Sequence, residues 1–172
     1  MPAGLTFEPI TTYTVPSNTN TVTFNSISQS YTHLYIMCNI LSAAPGAGLD
    51  YYLRLNNITS GYNATRFGAT TGAKSTARQN NDVCFQMFYV QAGSSPSQWT
   101  AGKIWIPYYT DTTYQRTVQI QGGSNNELGK MSGFINSTAA CSVISISNDP
   151  GFSGATQIGT GSIFTIYGIT KA

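Results

Sequence analysis

Charge is what this sequence has least of. Its 172 residues include eight Lys or Arg and six Asp or Glu, 8% in all, where an ordinary soluble domain carries about 25%. Each shortage excludes something. A nucleic-acid binder displaces counterions with clustered Lys and Arg. Here Arg54, Arg66, Lys74, Arg78, Lys103, Arg116, Lys130 and Lys171 stand singly along the chain, so no nucleic-acid partner is expected. Glutamate occurs twice, at Glu8 and Glu127, which excludes the Glu- and Lys-rich composition of coiled coils and helical bundles. There is one histidine, His33, although acid–base catalysis uses histidine most often. The acids are scattered, and no calcium loop, HExxH, GxSxG or Walker A pattern occurs. No catalytic residue, cofactor or metal is assigned, and an enzyme is not expected.

Cysteine is scarce as well. Cys38, Cys84 and Cys141 form no CxxC pair, so zinc and thioredoxin readings have no support. Cys38 is read as a small buried hydrophobe. His33 and Cys38 fall at odd and even positions of one strand, so they face opposite sides and cannot act together. Apolar runs reach about four residues, far short of the roughly 20 that a membrane helix requires. Met1 to Pro9 lacks the basic and apolar regions of a secretory signal. Neither a membrane segment nor a secretory leader is expected.

What the chain does have is a core and neutral polarity. It is 41% hydrophobic and 12% aromatic, too apolar for a disordered chain, and its length suits one domain. Ser, Thr and Asn make up roughly a third of it, well above ordinary usage. Period-2 alternation runs from end to end. Leu34, Ile36, Cys38 and Ile40 share one parity, as do Tyr51, Leu53 and Leu55, then Ile104 and Ile106, Val118 and Ile120, Ile144 and Ile146, and Phe164 and Ile166. Each run reads as a half-buried strand. The candidates are 8–15, 20–27, 33–41, 50–56, 62–68, 82–90, 99–107, 114–121, 131–136, 141–147 and 161–169. Turn signals fall at Pro16-Ser17-Asn18, Pro45-Gly46, Ser95-Pro96, Gly122-Gly123-Ser124 and Asp149-Pro150-Gly151. No window has a 3.6-residue period. The expectation is an all-β fold: an antiparallel, jelly-roll-like β-sandwich of about eight to eleven strands with little or no helix.

Three features invite a functional reading. The stretch 68–81 has no apolar residue larger than alanine, so it reads as an exposed excursion between strands, with Lys74 and Arg78 as candidate contacts. Residues 1–9 mix apolar residues with Pro and Gly and read as an N-terminal arm carrying Leu5 and Phe7, ahead of a single domain over 10–172. Trp99, Trp105 and Tyr108 belong to an aromatic group that serves as core filling, as a protein interface or as a platform for sugars.

The order of the pieces resembles small structural proteins of tailed-phage particles, especially capsid decoration (cement) proteins of marine and freshwater phages. The resemblance is carried by Ile10-Thr11-Thr12-Tyr13-Thr14-Val15, Val22-Thr23-Phe24-Asn25-Ser26-Ile27, Ser30-Tyr31-Thr32-His33-Leu34-Tyr35-Ile36, Leu53-Arg54-Leu55-Asn56, Ile104-Trp105-Ile106-Pro107-Tyr108-Tyr109 and the closing Phe164-Thr165-Ile166-Tyr167-Gly168-Ile169. His33 departs from the acidic residue usual at its position, so no role attaches to it. The resemblance implies a β-sandwich that binds the outer capsid surface and clamps adjacent major capsid protein subunits. It also implies a homo-oligomer, dimer or trimer, located in the virion and made in the bacterial host cytoplasm. Similar domains occur in tail and fibre proteins, which implies the alternative of a module that holds host-surface polysaccharide.

Overall fold

The computed structural model describes residues 7–43, 49–70, 72–90, 99–124, 127–154 and 157–170. Among them are twelve strands and no helix. The strands are β1 (Phe7–Thr14), β2 (Thr21–Phe24), β3 (His33–Ile40), β4 (Leu49–Leu55), β5 (Tyr62–Thr70), β6 (Ala73–Asp82), β7 (Phe85–Val90), β8 (Thr100–Ile106), β9 (Arg116–Ser124), β10 (Glu127–Ile135), β11 (Ile144–Ser147) and β12 (Ile163–Ile169). They form two antiparallel sheets. The larger runs β1-β12-β3-β8-β9-β10-β5-β6 and the smaller β2-β11-β4-β7.

Alternation decides which side chains lie between the sheets. In β3, Leu34, Ile36, Cys38 and Ile40 are buried, while Met37 and Asn39 are exposed. β12 repeats the pattern with Phe164 and Ile166. From the smaller sheet come Val22, Leu53, Phe85, Ile144 and Ile146, and both sets join one apolar cluster. In β11 all four residues are buried, so its serines need partners. The Ser145 and Thr23 hydroxyls bond at 3.0 Å, and the Ser147 hydroxyl donates to the Asn20 carbonyl at 2.8 Å.

One level of the larger sheet is built from glycine. Gly102 of β8, Gly122 of β9, Gly129 of β10 and Gly68 of β5 are successive register partners. Phe88 of β7 lies across the first three, its ring over Gly102 and Gly122 and its Cβ against Gly129. A Cβ on Gly102 would come within 2.3 Å of that ring, and one on Gly122 within 2.5 Å. Gly122 and Gly123, expected to be a turn, therefore continue β9. Glycine is needed there because an aromatic ring arrives from the other sheet.

The stretch 68–81 is also not the loop that was expected. It holds the end of β5, a tight connection with Gly72 at φ +89°, and most of β6. β6 pairs with β5 from Thr70↔Ala73 to Tyr62↔Asp82. Six residues, Ala73 to Arg78, are exposed. An edge strand lying outside the cover of the smaller sheet needs no apolar face. Backbone pairing holds it, and Gln79 anchors its far end. The Gln79 amide donates to Asp82 at 2.9 Å and to the Cys84 carbonyl at 3.1 Å, and it accepts the Gln86 N–H at 3.0 Å. Of the nine-residue arm, Phe7, Glu8 and Pro9 belong to β1 and pair with Ile169, Gly168 and Tyr167 of β12. Leu5 lies outside the described residues.

Candidate binding face of the large sheet

The side chains of the larger sheet that point away from the core form one continuous face. Its first half is aromatic. Tyr167, Tyr35 and Trp105 are register partners on β12, β3 and β8. Strands lie about 4.8 Å apart, so such partners stand as a row of neighbouring rings. Tyr35 and Trp105 have centroids 6.4 Å apart, and Phe7 stacks on Tyr167 at 4.6 Å. His33 continues the row, 5.0 Å from Trp105 and 4.6 Å from Tyr108. Phe7 and Tyr108 remain 47% and 50% exposed, more than ring packing alone requires.

Tyr108 is held by a built turn. Its backbone has φ 46°, a conformation that a tyrosine adopts only under tertiary constraint. Its N–H donates to His33 Nδ1 at 3.0 Å. Its carbonyl accepts from the guanidinium of Arg116, which also donates to the Asp111 and Ala139 carbonyls. Arg116 is 3% exposed, and burial lowers its pKa because the charged form is poorly solvated. This buried cation, surrounded by carbonyl oxygens, keeps the turn in place at the end of the aromatic row.

The second half of the face is amide and ammonium. Lys103, Gln121 and Lys130 are register partners on β8, β9 and β10, and Phe67 and Thr76 continue the row on β5 and β6. The next rows bring Gln119, Ser132, Thr65 and Arg78 to one side, and Gly123, Leu128, Ala69 and Lys74 to the other. Four of the eight basic residues thus share one face. Four of the acids have partners of their own away from these rows. Glu8 sits between Phe7 and Pro9 on the opposite parity, where it accepts the Tyr31 hydroxyl at 2.9 Å. Asp82 accepts from Gln79 and the Val83 N–H, and Asp149 accepts the Ser153 N–H. Asp111 lies in the turn at the rim. The Thr113 N–H, 2.6 Å from its carboxylate, holds its pKa below the usual value. A shallow groove of about 480 Å³ runs between Tyr35, Lys103, Trp105, Gln119, Lys130 and Ser132, and it adjoins a second past Met37, Gln121 and Leu128.

The fold brings three of the expected contact residues together on this face: Phe7, Trp105 and Tyr108. Lys74 and Arg78 reach the same face from its far edge strand. Trp99, 45% exposed, precedes β8 at the end opposite Tyr108 and stands apart from the aromatic row. The sequence reading missed Tyr35, Tyr167, Lys103 and Lys130. Their signal was present, since Lys103 and Trp105 share one parity, but it could not be combined without the strand order.

The face has the means to bind by stacking and charge. His33 Nδ1 is already occupied. The Cys38 thiol is buried on the other side, its pKa pushed up to about 12 by burial. Among the described residues no group of His, Cys, Asp or Glu is arranged to hold a metal. Comparison with protein-family models and with curated proteins yields no match.

Proposed function

We propose that the protein is a structural component of a phage particle, a capsid decoration protein that docks through the β6 edge of its larger sheet. The observation that carries this reading is β6. It is ten residues long, has a partner strand on one side only among the described residues, is exposed from Ala73 to Arg78, and carries Lys74 and Arg78 as the charges of that stretch. A solitary protein blunts such an edge with short strands, prolines or repeated charges. A protein that works among neighbours uses it to pair with them. Chains that pair in this way form the homo-oligomer that the resemblance implies, and a multimer touching the shell at several points binds well with modest affinity per copy. The body also suits a jelly roll. β1-β12-β3-β8 and β2-β11-β4-β7 are two sets of four strands, and the larger sheet continues past the first set through β9, β10, β5 and β6.

The test is to mix the purified protein with phage shells lacking it and count bound copies by electron cryomicroscopy. Thr76→Pro, Lys74→Glu/Arg78→Glu and deletion of residues 1–7 are compared with the natural chain. The natural chain should occupy repeated positions on the shell. The β6 variants should lose at least tenfold in occupancy while keeping the same circular dichroism. Full occupancy by both β6 variants overturns docking through that edge. No occupancy by the natural chain overturns the decoration reading. A second reading, a tail or fibre module that holds host-surface polysaccharide, is favoured by the aromatic row Tyr167-Tyr35-Trp105.

A further inference from the structure

We infer that the outer face of the larger sheet binds an acidic glycan, a chain of sugar rings bearing carboxylate or phosphate. This inference deepens the polysaccharide reading. It does not depend on whether the protein sits on shell or tail.

Two independent observations meet on this face. The first is the row of rings across β12, β3 and β8. Tyr35 and Trp105 stand side by side, half-buried, with ring centroids 6.4 Å apart and planes tilted by 57°, and Phe7 extends the row over Tyr167. Stacked aromatic side chains offer flat, weakly hydrated platforms whose quadrupole attracts positive edges. The C–H faces of a pyranose are such edges. The second observation is charge. The chain carries only +2 overall, yet the outward positions of β8, β10 and β6 hold Lys103, Lys130, Lys74 and Arg78, and no carboxylate shares those rows. Lys103 and Lys130 are two strands apart, about 10 Å, with the Gln121 amide between them. Charges within a Debye length of about 8 Å act on a bound ligand with little screening. The groove past Trp105 and Tyr35 opens onto Lys103 and Lys130. A ligand crossing the strands meets rings first and ammonium groups next.

The chemistry of the ligand follows from this layout. A neutral glycan would leave the four cations without a purpose. An apolar protein surface would bury Lys103 and Lys130 without partners, which costs several kcal/mol per ion. Single-stranded nucleic acid also combines stacking with negative charge. However, the five amides and hydroxyls here, Gln119, Gln121, Ser132, Thr65 and Thr76, outnumber the four cations and suit the hydroxyl-rich edge of a sugar chain. Attraction by a few lysines gives specificity and on-rate more than raw affinity, so binding should weaken with salt while stacking persists.

The experiment is a glycan array of uronate, sialylated and phosphate-bearing chains beside their neutral counterparts, followed by calorimetry on the best pair and on oligothymidylate. The acidic chain should bind at least tenfold more tightly than its neutral counterpart. Lys103→Gln/Lys130→Gln should erase that advantage, and Trp105→Ala should weaken both chains at least tenfold. Equal binding of acidic and neutral chains overturns the charge inference and leaves the polysaccharide reading standing. No binding anywhere on the array overturns both. Oligothymidylate bound as tightly as the acidic glycan would reassign the face to nucleic acid. None of these outcomes bears on shell occupancy, which the β6 variants report.

Discussion

At one level of the larger sheet, the side facing the core is Gly102, Gly122 and Gly129 beneath Phe88. One residue further along the same strands, the side facing solvent is Lys103, Gln121 and Lys130. The two faces share a backbone and obey opposite rules. The inner face gives up side chains so that a ring from the other sheet can come close, and packing density sets what each position tolerates. The outer face keeps long polar side chains and aromatic ones that pack on each other rather than in the core. Stability should therefore reside on one face and binding on the other, and substitutions can pull the two apart.

The largest effect should come from Phe88→Ala. Phe88 is 3% exposed, and its ring covers Gly102 and Gly122 on two strands of the opposite sheet. Removing it leaves a cavity over glycines that have no side chains to fill it, at a cost of about 3–5 kcal/mol in chemical denaturation. A loss under 1 kcal/mol would mean that the sheets do not depend on this contact. Gly122→Val comes next. Its Cβ would fall within 2.5 Å of the ring, and overpacking of this kind costs about 1–3 kcal/mol or more. Joined with Phe88→Ala, the valine should fill part of the cavity, so the two losses should add to less than their sum. Strict additivity would sever the link between ring and glycine.

This pairing also shows what the sequence could and could not reveal. Eleven strands were legible, most of them because apolar and polar residues alternate where one face is buried, as in Leu34-Tyr35-Ile36-Met37-Cys38. β6 was not, because alternation records burial and Ala73 to Arg78 are exposed on both faces. Gly122-Gly123 reads as a turn in sequence because the reason for Gly122, Phe88, lies in another sheet and 34 positions earlier in the chain. The outer face was legible only in fragments. Trp105 and Tyr108 stood out by residue type, but Tyr35 meets Trp105 across 70 positions, and Lys103 meets Lys130 through a strand between them. Eight basic residues that look isolated along the chain become a group of four only when the order β8-β9-β10-β5-β6 is known.

A smaller effect separates the faces by pH. Cys38, Cys84 and Cys141 are buried, and burial pushes each thiol up to about 12. The fold holds their protons more tightly than the unfolded chain does. Their contribution is intact below the unfolded thiol value, about 8.5, and is lost as pH rises from there towards 12, since the unfolded state then binds fewer protons. Burial also pushes the Tyr52 and Tyr62 hydroxyls up to about 12, so they add to the same loss above pH 10. The denaturation midpoint should hold steady from pH 6 to 8 and fall steadily above 9. Thiol reagents should stay unreactive until the chain unfolds. A thiol that reacts rapidly at pH 7 in the folded protein would contradict its burial.

The smallest effect is the sharpest test of the comparison. Lys103→Gln/Lys130→Gln removes two charges from the outer face without shortening either side chain by much. Both residues are exposed, and substitutions at such positions usually change stability by no more than about 0.5 kcal/mol. If the faces divide their work as their side chains indicate, the denaturation midpoint of this variant should match that of the natural chain while its preference for acidic ligands disappears. A variant that loses 2 kcal/mol or more would show that the lysines and Gln121 brace the sheet. The outer face would then be part of the fold's support, and its aromatic row would need another explanation than a platform kept free for a ligand.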